Sequence, residues 1–99
     1  MSWADRAIKL LADGESATIK PHGGSMKPKV ESGATVTLEP VDISELSRGD
    51  IGLCKVKGNV YLHLVKAIDN GRVQIGNNKG RINGWTRTVF GRAVKIMNP

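Results

Sequence analysis

Residues 51–76 read IGLCKVKGNVYLHLVKAIDNGRVQIG, and their pattern decides the fold. Apolar residues recur with period two in 51–57, and 60–68 form a nearly continuous apolar run. Both patterns belong to strands rather than to helices. The run over 60–68 is that of an interior strand, covered on both faces. Gly58-Asn59 is a two-residue hairpin signal, and Asp69-Asn70-Gly71 a second tight turn. A short strand over 72–75 follows. Three sequential antiparallel strands are therefore expected.

Outward from this stretch the same period persists. Ala17 and Ile19 alternate in a short strand that stops before Pro21. Ala34, Val36 and Leu38 alternate with polar residues up to Pro40. Residues 41–50 read as a loop closing on Arg48-Gly49-Asp50, and 76–84 (GNNKGRING) as a second, longer one. A last strand is expected over 86–96, with Gly91 marking a bulge or kink. Only residues 2–12 carry helical spacing: Trp3, Ala7, Leu10 and Leu11 share one stripe, Ser2 is placed to cap it, Asp5 follows in a capping-box position, and Gly14 stops it.

The 99 residues make one domain with a modest core and no room for a second module. The expected architecture is mainly β, a small twisted sheet or partly open barrel behind a short N-terminal helix. There is no internal repeat or low-complexity segment. No apolar run approaches the roughly 20 residues of a membrane span, and charges interrupt the first fourteen residues, so neither a membrane partner nor a secretory leader is expected. The single cysteine, Cys54, cannot form an internal disulfide and reads as a small buried apolar residue in a reducing cytoplasm. With His22 and His63 it has no metal-ligand spacing, and no phosphate-binding glycine loop is present; no metal or cofactor is expected.

Charge is unevenly distributed. Residues 1–50 hold six Lys/Arg against eight Asp/Glu, whereas 51–99 hold nine Lys/Arg against Asp69 alone. A basic half favours an acidic partner, nucleic acid or protein, or is simply a solvated surface on strands that interleave with the acidic half. With four aromatic residues in the chain, a stacking platform for single strands is thin, and no recognition-helix pair is visible.

One loop carries possible chemistry. In His22-Gly23-Gly24-Ser25-Met26-Lys27-Pro28 two glycines allow a sharp turn that exposes the Ser25 hydroxyl and leaves peptide N–H groups near Gly24 open to a developing oxyanion. Alone, Gly-Gly-Ser is an ordinary loop. The Gly23–Pro28 motif gains weight with Ser32-Gly33, the strand after it, Arg48-Gly49-Asp50-Ile51, Leu62-His63-Leu64-Val65 on a long strand, and a closing Gly91-Arg92-Ala93-Val94. In that combination residues 18–97 resemble the LexA-like and signal-peptidase-like serine peptidases. The stretch 76–86 looks like that of small phage and prophage proteins carrying this domain.

The resemblance implies a LexA C-terminal-domain type of fold and a serine hydroxyl as nucleophile. It places Ser25 at the nucleophile and His63 at the base, 38 residues on, as in the histidine branch of the family. A serine needs such a base, and imidazole is neutral near pH 7 without a large shift. A working pair would stand about 2.6–4 Å apart. Histidine-type members carry an aspartate in a Gly-Asp-Asn motif; here Gly76-Asn77-Asn78 stands there, so Asn77 is expected to orient His63 through its carbonyl oxygen. Lys66, three residues from His63, is expected on the opposite strand face. Met26 is expected to pack its side chain inward while standing with Gly24 at the oxyanion site that the resemblance implies, His22 to point outward, and Trp85 to pin the 76–84 loop. Two functions follow: a serine peptidase acting in trans on a polypeptide, or a catalytically inactive relative that binds a protein or nucleic acid through its basic half.

Overall fold

Strand-forming alternation in the stretch from Ile51 onward produces three consecutive antiparallel strands: β3 (Ile51–Val56), β4 (Asn59–Asp69) and β5 (Arg72–Gly76). The computed structural model describes residues 3–99. Before these strands come α1 (Asp5–Ala12), β1 (Ala17–Ile19), β2 (Thr35–Pro40) and a 3-10 turn (Ile43–Glu45); after them come β6 (Ile82–Thr86) and β7 (Val89–Met97). All seven strands join one antiparallel sheet in the order β1-β2-β7-β3-β4-β5-β6. The architecture is thus mainly β with one short helix. The sheet remains open: β6 approaches β3 without joining it as a neighbour in the ladder.

Alternation sorts the side chains of β3 and β4 onto two cores. Ile51, Leu53, Leu62 and Leu64 join one cluster with Ala7 and Leu11 of α1, Ile19 of β1, Val36 and Leu38 of β2, and Met26 and Val30 from the loop before β2. Cys54, Val56 and Val65 face the other side, with Val73 and Ile75 of β5 and Leu46. Both faces of these two strands are therefore dry, which is why β4 reads as an unbroken apolar run. Each such Leu or Val contributes roughly 1.5–3 kcal/mol by leaving water.

Several boundaries differ from the expectations above. Ser2 lies outside the described residues. The helix begins at Asp5, and its N-cap, Ala4, offers no side-chain hydrogen bond. Its C-terminus is a Schellman motif: Gly14 at φ 83° lets its own N–H reach Leu11 O and lets Glu15 N–H reach Leu10 O, at 3.1 and 3.0 Å. The hairpin turns on Lys57-Gly58, both with positive φ (51° and 85°), rather than on Gly58-Asn59. The expected single strand over 86–96 is two strands separated by a corner at Arg87-Thr88. Thr86 makes that corner: its Oγ1 donates to Lys55 O at 2.6 Å and accepts from Thr88 N–H at 3.0 Å. Gly91 does lie beside a bulge. Leu53 pairs with Gly91 and Cys54 with Val89, leaving Phe90 as the extra residue. No helix among the described residues is long and apolar enough to cross a membrane.

Candidate active site

Ser25 sits in the long loop between β1 and β2, which the core holds from beneath. Met26 and Val30, on either side of the cis Lys27–Pro28 peptide, are buried with the helix-side cluster, whereas Ser25 between Gly24 and Met26 is exposed. Gly23, at φ 106°, makes the sharp entry and donates its N–H to Ser32 Oγ at 3.2 Å. A second clamp comes from across the sheet. Asn78 donates its backbone N–H to Ser25 O at 3.0 Å and its Nδ2 to Lys27 O at 2.7 Å.

These contacts leave the Ser25 hydroxyl facing β4. Its Oγ lies 3.3 Å from Nε2 of His63, within the 2.6–4 Å span of a loose apo nucleophile–base pair. His63 is 8% exposed and stacks on Tyr61 two residues earlier, with ring centroids 5.0 Å apart. Opposite it in the ladder stands Gly52. The other ring nitrogen, Nδ1, lies 2.7 Å from Asn83 Oδ1. An amide oxygen only accepts, so Nδ1 carries the proton and Nε2 presents its lone pair to the serine hydroxyl. This is the tautomer a general base requires.

The orienting residue is thus Asn83, and the expectation for Asn77 is corrected. Asn77 Oδ1 accepts the N–H groups of Lys79 and Arg81, at 2.8 and 2.9 Å, and its own N–H donates to Arg81 O. It folds the 77–81 loop and does not reach the imidazole. Asn83 reaches it because of a bulge: Ile75 pairs with Gly84 and Gly76 with Ile82, so Asn83 is the unpaired extra residue of β6. Gly76 makes the bulge possible, since a Cβ there would stand 2.5 Å from Arg81 O. The Gly76-Asn77-Asn78 motif marks the loop that leads to β6 and not Asn83 itself.

Burial moves the His63 pKa below its ordinary 6.5; the Asn83 hydrogen bond opposes that shift and the Arg81 charge adds to it. His63 is therefore neutral at pH 7 and available as a base. Lys66 is no rival. It is the extra residue at an irregularity of β4, where Val65 pairs with Ile75 and Ala67 with Gln74, and its aliphatic chain lies over Gly76. His22 is exposed, as expected. Among the described residues, the N–H groups of Gly24, Ser25 and Met26 donate to no protein acceptor.

A hollow of about 390 Å³ opens next to this pair, walled by Trp3, Pro21, Met26, Val30, Val60 and Leu62, with Lys20, His22 and Glu31 among its polar groups. Trp85 does not pin the 76–84 loop; it is 37% exposed and lies under the Arg72 guanidinium, 4.7 Å from the ring centre. Cys54 is fully buried, and burial pushes its thiol up to about 12. No group of three or more His, Cys, Asp or Glu among the described residues could hold a metal ion. No family model matches the chain, and no curated protein matches it.

Proposed function

We propose that the chain is a serine hydrolase that cuts peptide bonds, with Ser25 as nucleophile, His63 as general base and Asn83 as the residue that orients the base. The observation that carries this is the linked geometry of Ser25 Oγ, His63 and Asn83, at 3.3 and 2.7 Å, around an exposed hydroxyl and a buried imidazole. In the reaction Ser25 Oγ attacks the scissile carbonyl carbon and His63 Nε2 takes its proton. The carbonyl oxygen becomes an oxyanion beside the free N–H groups at Ser25 and its neighbours. The imidazolium then protonates the leaving amine; water, giving a proton to His63 Nε2, attacks the acyl carbon, and Ser25 Oγ leaves and takes that proton back, freeing the acid product.

A polypeptide substrate is supported by an open sheet edge. The two-residue turn at Lys57-Gly58 makes Val56–Asn59 a hydrogen-bonded pair, and the pattern then alternates. Val60 and Leu62 therefore aim their N–H and C=O groups away from β3. On that side β5 begins pairing with β4 only at Leu64–Gly76. An extended segment can add to this edge beside Ser25. The sequence motifs resemble those of the LexA-like and signal-peptidase-like peptidases, of the small phage or prophage type, which supports this reading, and a cytoplasmic setting suits the free Cys54.

The test is labelling by a fluorophosphonate. Wild type should gain one adduct on Ser25, and Ser25→Ala should lose labelling by about 10³-fold or more with its fold intact. Equal labelling of the two folded proteins, or none of either, refutes the reading. One observation favours the non-catalytic alternative: the group on His63 Nδ1 is an amide rather than a carboxylate, which stabilises an imidazolium less.

A further inference from the structure

Resting on Ser25 as the nucleophile, we propose that the adjoining hollow selects a bulky apolar side chain of the substrate, of leucine to phenylalanine size, and that Trp3 is a wall that sets this preference. The volume, about 390 Å³, lies in the range of roughly 300–1,000 Å³ typical of pockets that enclose whole ligand groups. A site for alanine or glycine would need only a dimple. The walls named above come from four parts of the fold: the segment before α1, the residues after β1, the serine loop and the open edge of β4. These walls favour an apolar group, while Tyr61, His22 and the Ser25–His63 pair also border the hollow. Lys20 and Glu31, both exposed and of opposite sign, give no net charge preference where they border it.

Trp3 has an unusual place. It is 53% exposed although it is the largest apolar residue near the site. It borders both this hollow and a second one, about 340 Å³, lined also by Ala7, Leu10 and Ile19. Arg6, Thr18, Lys20 and His22 also line that second hollow, so the indole borders one mainly apolar and one mixed space and is not a core residue. An indole face left uncovered beside a nucleophile is positioned to cover an apolar group presented there.

The experiment uses the full chain carrying Ser25→Ala, so that peptides bind without being cut. Acetylated pentapeptide amides differing only in one central residue (alanine, leucine or phenylalanine) are titrated while methyl resonances are followed. The leucine and phenylalanine peptides should bind at least about tenfold more tightly than the alanine peptide and shift the methyls of Val30, Val60 and Leu62. Adding Trp3→Ala should weaken the leucine peptide about tenfold and leave the alanine peptide unchanged. Val60→Phe, which fills the hollow from β4, should reverse the order. Equal affinity for all three peptides, or shifts confined to methyls elsewhere, overturns the proposal. Fluorophosphonate labelling separates this from the parent reading: Ser25 labelling without size preference sinks the pocket, and size preference without labelling sinks the peptidase.

Discussion

Replacing Asn83 with aspartate changes one atom type at the point where His63 is held, and its consequences can be worked through. The new carboxylate would occupy the position of Asn83 Oδ1, 2.7 Å from Nδ1. With charge centres about 4 Å apart and an effective dielectric near 20, the attraction to an imidazolium is about 4 kcal/mol, or roughly 3 pK units at most. Desolvation of the half-buried carboxylate reduces this, and close ion pairs commonly shift a pKa by about 1–3 units. His63 starts below 6.5 because burial penalises its charged form. Asn83→Asp should therefore raise the His63 pKa by about 1–3 units, read from the pH dependence of its imidazole Cε1–H resonance.

The same change reverses a stability slope. In wild type the folded pKa of His63 lies below 6.5, so the unfolded chain binds more protons in that window. Its contribution is present above pH 6.5 and is lost as pH falls through the folded pKa. In the variant the folded pKa is raised. Once it stands above 6.5, the contribution is fully present below the unfolded pKa and lost as pH rises through the folded one. Urea melts at pH 5.5 and 7.5 should show variant minus wild-type stability more favourable at the lower pH. The acid limb of Ser25 phosphonylation should move to higher pH with the imidazole. On the catalytic reading the rate on a good substrate rises by up to about 10⁴, the loss that the opposite change causes in serine-protease triads. An unchanged or lowered His63 pKa in the folded variant would refute the assignment of Asn83 as its partner.

Further outcomes follow from the same packing. Cys54, pushed from 9.0 to about 12, carries roughly 10³-fold less thiolate than a free thiol at a given pH, so it should resist an aromatic disulfide reagent at pH 8 until the protein is unfolded in urea; prompt reaction of the native protein contradicts its burial. Gly76→Ala should cost about 1–3 kcal/mol, because the added methyl meets Arg81 O at 2.5 Å and main chain cannot step aside; with about 4–8 °C per kcal/mol in a domain this size, thermal melting should show the drop. That variant should also broaden or shift the His63 resonances, since the bulge that aims Asn83 depends on it; a stable variant with unchanged His63 signals contradicts this.

Much of the strand framework was legible because it is local. Period-two alternation identifies the faces of β3, β4 and β5, and glycine turns divide them. What alternation does not specify is register in steps of two. A turn at Gly58-Asn59 would pair His63 with Cys54; the turn at Lys57-Gly58 pairs it with Gly52, and both keep every side chain on its own face. The split of β6 from β7 was hidden for a different reason. It is made by a threonine hydroxyl reaching the β3 main chain at Lys55, with no glycine or proline at the corner itself.

The site divides the same way. That Ser25 and His63 lie side by side, 3.3 Å apart, was anticipated only through the family resemblance, because each sits in a short segment that carries it. Asn83 was not, because its role is created by a non-local event. A residue in β6 becomes extra only once Ile82 has paired with Gly76 and Gly84 with Ile75. The three asparagines 77, 78 and 83 look interchangeable in sequence, yet one folds its own loop, one holds the serine loop and one holds the imidazole. The bulges and irregularities of β4 and β6 are what separate these tasks. They displace Lys66 over Gly76 and make Asn83 the extra residue, so the partner of His63 and the place of Lys66 are both set by where the ladder slips. A change that restores regular pairing between β5 and β6 would therefore remove Asn83 from His63 without touching either residue, and the serine loop, held separately by Asn78, would remain in place.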